Sequence, residues 1–569
     1  MYQAPENSKK TRPNIILIVI DALRARSLSC YGGDEGRSRS IDALAEGGVL
    51  FEDVYSAWNT TDQSLTTILT GRYPRTHGIV RQGYRVKPED IETFEKLEVK
   101  LLSEILQQEG YSTIAIDWMS RWFEKGYDYY GYKPEGNLLD KIHYHLITLP
   151  AVHVRYILRS LNILQIYSRK RKFSLKRTWM SIKDVVKTFL FTFELARIQD
   201  VAYVRGLAEN LLRKIKKRPF FLFLHIWDTH HPYHCPQSFI EKEERYLDSK
   251  ELLRKQYLGA VRYVDYQLGK FFRHLKEKKM MDETFIIVTS DHGESLTEHD
   301  IYFDHHGLYD ETTHVPLIFH FPGAFPRGKK VKGFVQHVDI LPTVCELLGI
   351  EESSYHFDGK SLFPLIRGEV DEIRPFVLSE ESYAQRKMSL REEGFKYIYA
   401  PDNEGMCIYC LRVHGGKEEL YDLENDPAER RNIAPRRREK SRVMKDKLLS
   451  VIRSLNTKRE KQLVLKEIDA LHEEEGSGEA GGILAGDSIS RFQEQGGGSM
   501  KKKEVKIELP EETVEGIRRR IKDSEFETVE EYLSFLVQKF FQRKKRKTKL
   551  TTKEERKIRK KLQSLGYID

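Results

Sequence analysis

The run NIILIVID, residues 14–21, decides the fold. Its apolar residues are near-continuous rather than alternating, and an Asp closes them. A strand with one wet face alternates, whereas continuous apolar character marks a strand buried on both faces, as in a parallel sheet covered by helices. The pattern returns at PFFLFLHIWDTHHPYH (219–234) and TFIIVTSDHGE (284–294), each an apolar strand followed by a burst of Asp and His. Ligands of open α/β sheets bind beyond the carboxyl ends of the strands. One such Asp would be read as a turn or helix cap. Three such strands, far apart in sequence, predict a single site at one edge of an α/β sandwich with a mostly parallel central sheet.

The chain around these strands has 569 residues, too many for one core, so a large catalytic unit with smaller additions is expected. With 95 basic and 86 acidic residues the net charge is +9, too mild to require a nucleic-acid partner, and none is expected. Five cysteines are too few and too scattered for a disulfide framework, and Cys407-x-x-Cys410 has no second pair to complete a zinc site. The opening MYQAPENSKKTRPN lacks the apolar centre of a signal peptide. No apolar run reaches the roughly 18–20 residues that span a bilayer. The expected location is cytoplasmic, with peripheral contact at the inner membrane face left open.

Residues 12–373 are expected to form the catalytic domain, and 374–455 a small α+β subdomain in which FKYIYAPD and EELYDLE read as short strands. Between 141 and 218 the character changes, with eighteen Lys/Arg against four Asp/Glu among apolar runs. This reads as a basic helical insertion, either a lid over the sheet or a surface for an anionic membrane or substrate. A charged and then Gly-rich linker follows at 456–500. At 501–547 Val505, Ile507 and Leu509 alternate like a strand, and Pro510 opens a helix with Val514, Ile517 and Ile521 on one face. Thr528 and Glu531 then form a capping box for a second helix. Strand–helix–helix resembles a ribbon-helix-helix unit. Its outward strand residues would be Glu504, Lys506 and Glu508, poor partners for phosphates, so homodimerisation is expected rather than DNA binding. The Gly-Gly-Gly-Ser before Met500 also has the form of a fusion junction. A C-terminal helix is expected at 548–569.

The stretch WNTTDQSLTTILTGRYPRTHG (58–78) places Thr60, Thr61 and Ser64 at a helix start. Asp21, Asp291 and His292 suit one divalent ion of borderline hardness, Zn²⁺ or Mn²⁺ before Ca²⁺ or Mg²⁺, with a coordination position left open. A hydroxyl placed there becomes a better nucleophile, and helix-terminal N–H groups favour an anion. The combination points to attack on a phosphate or sulfate ester.

On these and further motifs the chain resembles the sulfatase branch of the alkaline-phosphatase superfamily. The matching runs include LTGRYPRTHGI, WDTHHPY, SDHGESLTEH, HHGLYDETTHVPLIFHFPG, VDILPTVCELLGI and EELYDLENDPAERRNIA. They cover about residues 12–435. In that family the nucleophile lies ten residues before the Gly of the L-T-G turn, which implies Thr61, one residue past Thr60. Asp21, Asp291 and His292 fall on metal positions, and the nucleophile's oxygen also touches the metal. His230 falls where a histidine serves the leaving group as general acid. His306 falls where a His or Lys holds a non-bridging ester oxygen, with His305 beside it as a structural residue. Ser64 falls on the motif's own serine and would support the site.

The departures bear on chemistry. True sulfatases of this fold carry C-x-P-S-R or S-x-P-S-R and oxidise the first residue to formylglycine. Here that run is Thr61-Asp62-Gln63-Ser64-Leu65, and threonine, a secondary alcohol, cannot yield the aldehyde. Leu65 replaces the supporting Arg. Asp117-Trp118-Met119-Ser120 replaces the G-K-W-H-L-G element, and Ala22 replaces the second Asp of an Asp-Asp pair. A threonyl sulfate lacks the aldehyde's exit route, whereas a threonyl phosphoryl group is cleared by water or an acceptor alcohol. The expected enzyme is therefore a metal-dependent hydrolase or transferase preferring phosphodiester, phosphonate or lipid-linked phosphate substrates. A sulfuric ester hydrolase without formylglycine and a non-catalytic protein of the same fold are the alternatives. One tightly bound metal is expected, and Asp228 with His231 could hold a second.

Overall fold

The computed structural model describes residues 12–33, 37–117, 119, 121–131, 200–215, 219–241, 249–351, 355–402, 407 and 412–476. Most of the 141–218 insertion, Trp118, Ser120, Cys410, most of the linker and the 501–547 module lie outside the described residues. The chain divides into two compact units, one up to Leu448 and one from Leu449. In the second, the described residues continue the helix Arg438–Gly476.

Three strands carry the patterns above: β1 (Asn14–Ile20), β6 (Phe220–Ile226) and β7 (Thr284–Thr289). Every residue of all three is buried. Around them lie β2 (Val49–Phe51), β4 (Ser112–Ile116), β5 (Tyr129–Tyr130), β8 (Leu317–His320) and β9 (Lys329–Val331). The order is β5-β4-β6-β1-β7-β8-β2-β9, and only β8 runs against the rest. This is the α/β sandwich with a mostly parallel sheet that the apolar runs predict. The two-residue β3 (Val54–Tyr55) and β10 (Val335–Gln336) pair with each other.

Parallel pairing sets the site. β1 lies between β6 and β7, with Ile20 opposite Ile226 and Val19 opposite Thr289. The residues following these three strands therefore emerge together at one edge. The amide of Asp21 still donates to the carbonyl of Ile226 at 2.8 Å, so the ladder holds the first carboxylate in place.

Helices Arg39–Glu46, Val201–Lys214 and Ser249–Glu277 cover one face of the sheet through Ile41, Leu44, Val204, Ala208, Val261 and Phe271. The described end of the basic insertion is thus part of the core layer. Truncating one β1 isoleucine to alanine would cost about 2–5 kcal/mol, because its packed neighbours relax only partly into the cavity.

A second sheet, antiparallel, contains β11 (Phe376–Glu381), β12 (Lys387–Glu392), β13 (Phe395–Tyr399) and β14 (Glu418–Asp422). It is bound to the segment that leads into the Thr61 helix. Glu380 N donates to Ala57 O at 3.0 Å, Ser379 Oγ to Ser56 O at 2.6 Å, and Arg75 grips the Glu380 carboxylate through Nε and Nη2 at 2.8 and 2.6 Å.

Candidate active site

The helix Thr61–Thr70 is buried at all ten positions, although half of them are Thr or Ser. Local bonding makes this tolerable. Thr66 Oγ1 donates to Asp62 O at 2.6 Å, Thr67 to Gln63 O at 2.8 Å, and Thr70 to Thr66 O at 2.6 Å, so each hydroxyl is satisfied one turn back. Gly71 ends the helix at φ +64, and a Cβ there would meet Phe357 at 3.1 Å, so the position favours glycine twice.

The helix start differs from a capped one. Thr60 is extended, but its hydroxyl caps no backbone amide and donates instead to Gln63 Oε1 at 2.6 Å. Ser64 Oγ donates to Trp58 O at 2.8 Å, tying the entering loop to the first turn. The amide of Asp62 is already engaged by Gln82 Oε1 at 3.0 Å, so the first turn offers an anion fewer free N–H groups than its sequence suggests.

With its neighbours thus engaged, Thr61 faces inward. Its Oγ1 lies 3.4 Å from Asp21 Oδ2 and 3.4 Å from His292 Nε2. His292 Nε2 is 3.4 Å from Asp291 Oδ2 and 3.7 Å from Asp21 Oδ1. Asp21, Asp291 and His292 form one of three groups of potential cation ligands among the described residues. Asp21 Oδ1 and Asp291 Oδ2 are buried without a hydrogen-bond partner. His292 Nδ1 is 2.8 Å from Gly293 O, which assigns the N–H to Nδ1 and leaves the Nε2 lone pair facing the carboxylates. Orphaned carboxylate oxygens around an imidazole nitrogen and a hydroxyl fit a divalent cation. Burial would raise both carboxyls. The imidazoles of His230, His225 and His292 hold Asp21 below its ordinary range, whereas burial and the Asp21 charge push Asp291 up.

Ala22 occupies the left-handed region at φ +57. This awkward conformation aims its amide at Asp291 Oδ1, 3.1 Å away, where it orients that carboxylate.

The loop after β6 brings in His230. Thr229 Oγ1 donates to Asp21 O at 2.5 Å, and His230 Nδ1 is 2.7 Å from His231 O, leaving Nε2 as the exchangeable position. The His230 ring packs on Trp227 at 4.7 Å.

The ring nearer His292 belongs to His305, with centroids 4.5 Å apart, and it also lies 6.0 Å from His230. His306 sits 6.4 Å from His305, with Nε2 3.2 Å from Asp304 Oδ2 and Nδ1 3.9 Å from Glu381 Oε1. Tyr383, in the loop between β11 and β12, covers both rings at 5.4 and 5.7 Å. Asp228 sits with Asp200 and His234.

One residue escaped the sequence reading. His225 lies inside β6, its Nδ1 2.8 Å from Asp117 Oδ1 and its Nε2 3.6 Å from Asp21 Oδ2. Burial opposes its charged form, yet these carboxylates hold the ring up to about 10. The signal was a lone histidine in the otherwise apolar FFLFLHI. Asp117, at the position where the sulfatase motif has its lysine, thus serves as partner to a histidine.

Comparison with known proteins agrees with this architecture. The profile of the family described as "Sulfatase" matches residues 13–350, and that described as "N-sulphoglucosamine sulphohydrolase, C-terminal" matches residues 297–457. The chain is similar to N-acetylglucosamine-6-O-sulfatase of Bacteroides thetaiotaomicron, at 24% identity over 75% of this chain and 84% of that protein. It is similar to arylsulfatase D of Homo sapiens, at 26% identity over 76% and 84%. In fold it resembles the phosphonate monoester hydrolase of Agrobacterium radiobacter, with TM-score 0.56 and 21% identity over 77% of this chain and 95% of that one.

Proposed function

The chain belongs to the sulfatase family, and we propose that it is a metal-dependent ester hydrolase or transferase with Thr61 as nucleophile and a preference for phosphodiester-type or phosphonate esters. The observation that carries this reading is Thr61 Oγ1 lying 3.4 Å from both Asp21 Oδ2 and His292 Nε2, with a leucine, Leu65, in place of the arginine that supports an aldehyde.

Asp21, Asp291 and His292 would hold the cation, with Thr61 beside it; the mixed O/N donors favour Zn²⁺ or Mn²⁺. When bound, the ion would lower the pKa of the neighbouring hydroxyl and offset charge on the ester oxygens. Thr61 Oγ forms the new bond to phosphorus as the bond to the leaving oxygen breaks, and His230 Nε2 gives that oxygen its proton. Water or an acceptor alcohol, giving its proton to His230 Nε2, then attacks phosphorus and breaks its bond to Thr61 Oγ, which takes up a proton from solvent. His306 is the residue expected to hold a non-bridging oxygen, and the placement of His305 against His292 makes it an equal candidate. Asp304 and Glu381 orient His306, while Ser64 and Asn59 fix the loops on either side.

A second reading, sulfate-ester hydrolysis by threonine without formylglycine, is favoured by the sulfatase names of the two curated relatives. The test is a paired assay across a metal panel, with bis-aryl phosphate and aryl phosphonate against aryl sulfate. Faster phosphorus-ester turnover and a mass increment of phosphate on Thr61 after quenching are expected. Faster sulfate turnover that is lost in Thr61→Ala would refute the phosphorus preference.

The basic composition of 141–218 supports a lipid-linked anionic substrate, which co-sedimentation with anionic vesicles would test by comparing the full chain with a variant lacking 141–199. The 501–547 module supports homodimerisation, measurable by light scattering.

A further inference from the structure

Three groups of histidine and carboxylate side chains bring potential ligand atoms within 4.8 Å of one another among the described residues. The first is the active-site group. The second, His299–Glu311–Glu429, already has its cations: Lys396 Nζ sits 2.7 Å from Glu429 Oε1, and Arg24 and His299 hold Glu311 low against burial. The third, Asp200–Asp228–His234, has none. We propose that Asp200, Asp228 and His234 bind a second divalent cation, separate from the one at Asp21, Asp291 and His292 and structural in effect.

The helix Val201–Lys214 provides the rival explanation, and it covers only half of the polar atoms. Asp200 precedes that helix, and its Oδ1 accepts from Ala202 N and from the Tyr263 hydroxyl, both at 2.9 Å. Asp228 Oδ1 accepts from Val201 N at 3.2 Å. Capping thus accounts for one oxygen of each carboxylate. Asp228 Oδ2 is left over, fully buried and without a hydrogen-bond partner, on a residue only 1% exposed. No Lys or Arg among the described residues pairs with either carboxylate. The loop is held to present His234 here, because His234 N donates to Asp228 O at 2.9 Å.

Two neighbouring carboxylates in a low dielectric repel unless a proton or a cation lies between them. Two oxygens and one imidazole, with remaining positions for water, suit Zn²⁺ or Mn²⁺. Such an ion would clamp the loop 227–234, which carries His230, to the start of the helix Val201–Lys214.

The test is metal stoichiometry on the full-length protein, stripped with chelator and retitrated with Zn²⁺ and separately with Mn²⁺ by calorimetry and elemental analysis. Asp228→Asn keeps an oxygen for Val201 N, and His234→Gln leaves both carboxylates in place. Each variant is expected to bind one equivalent fewer than wild type while His292→Ala loses a different equivalent, so the double variant Asp228→Asn/His292→Ala loses two. Stoichiometry unchanged in both Asp228→Asn and His234→Gln overturns the proposal, and Asp228 then carries a proton instead. The count is independent of turnover, so failure of the threonine-nucleophile reading would leave this result legible.

Discussion

Two buried charge clusters, one around Asp310 and one around Asp21, are built differently. Around Asp310 each carboxylate meets a Lys or Arg, although Arg391 Nε and Glu429 Oε1 make no hydrogen bond. Arg391 Nη1 reaches Asp310 Oδ1 at 2.8 Å and Oδ2 at 2.9 Å, Lys396 Nζ reaches Asp310 at 2.6 Å and Glu429 at 2.7 Å, and Asp310 N donates to Glu429 Oε2 at 2.7 Å. Around Asp21 the carboxylates face imidazoles and a hydroxyl, with oxygens of Asp21 and Asp291 left over. A closed network joins the small sheet to the histidine loop. An open one invites a cation and a substrate. A Lys or Arg beside the carboxylates, present at Asp310 and absent at Asp21 and Asp291 among the described residues, separates the two clusters.

The comparison can be broken from either side. The largest effect is expected from Thr61→Ala: ester turnover falls by at least about 10³-fold at unchanged thermal midpoint, since the hydroxyl lost is the proposed nucleophile. A fold-intact variant with near wild-type kcat would place the chemistry elsewhere. On the closed side, Lys396→Met is expected to cost about 3–5 kcal/mol in denaturant unfolding, because Glu429 and Asp310 lose a buried cation, while activity per folded molecule is retained. A loss of kcat without loss of stability would erase the distinction between the clusters.

His305→Ala and His306→Ala sharpen the open side. The ring that holds an ester oxygen is expected to cost about 10²-fold in kcat, and the other to act mainly through stability. Comparing kcat with thermal midpoint for both variants assigns the role.

The smallest effect is a pH slope. Burial would raise Asp310, yet Arg391 and Lys396 hold its carboxyl well below the ordinary range. A lowered folded pKa means its contribution is present above the unfolded value of about 3.9 and is lost as pH falls through the folded one. Wild-type stability is therefore expected to fall below about pH 4 more steeply than that of Asp310→Asn, as read from thermal midpoints across an acid series. Parallel slopes would remove Asp310 from the account.

Much of the sandwich was legible because β1, β6 and β7 are buried along their whole length, and that burial is written directly as apolar runs. Asp21, Asp291 and His292 were legible as a group because each follows such a strand at the same edge. Thr61 was singled out by the family resemblance through its spacing from Gly71, and Ser64 by the motif's own serine position. His225 was overlooked because one polar residue in an apolar strand has no spacing to announce its partner. Asp117 is 108 positions away, and only the β4–β6 pairing brings the two within 2.8 Å.

The sequence alone determined the α/β class with its mostly parallel central sheet and the presence of threonine at position 61. These rest on local periodicity and side-chain chemistry, which need no long-range information. Tertiary structure decided which of His305 and His306 lies against His292, that Asp117 partners His225, and that Asp228 turns toward Asp200 and His234. Each depends on where a loop side chain points, and that is set by backbone dihedrals and packing partners contributed from distant parts of the chain.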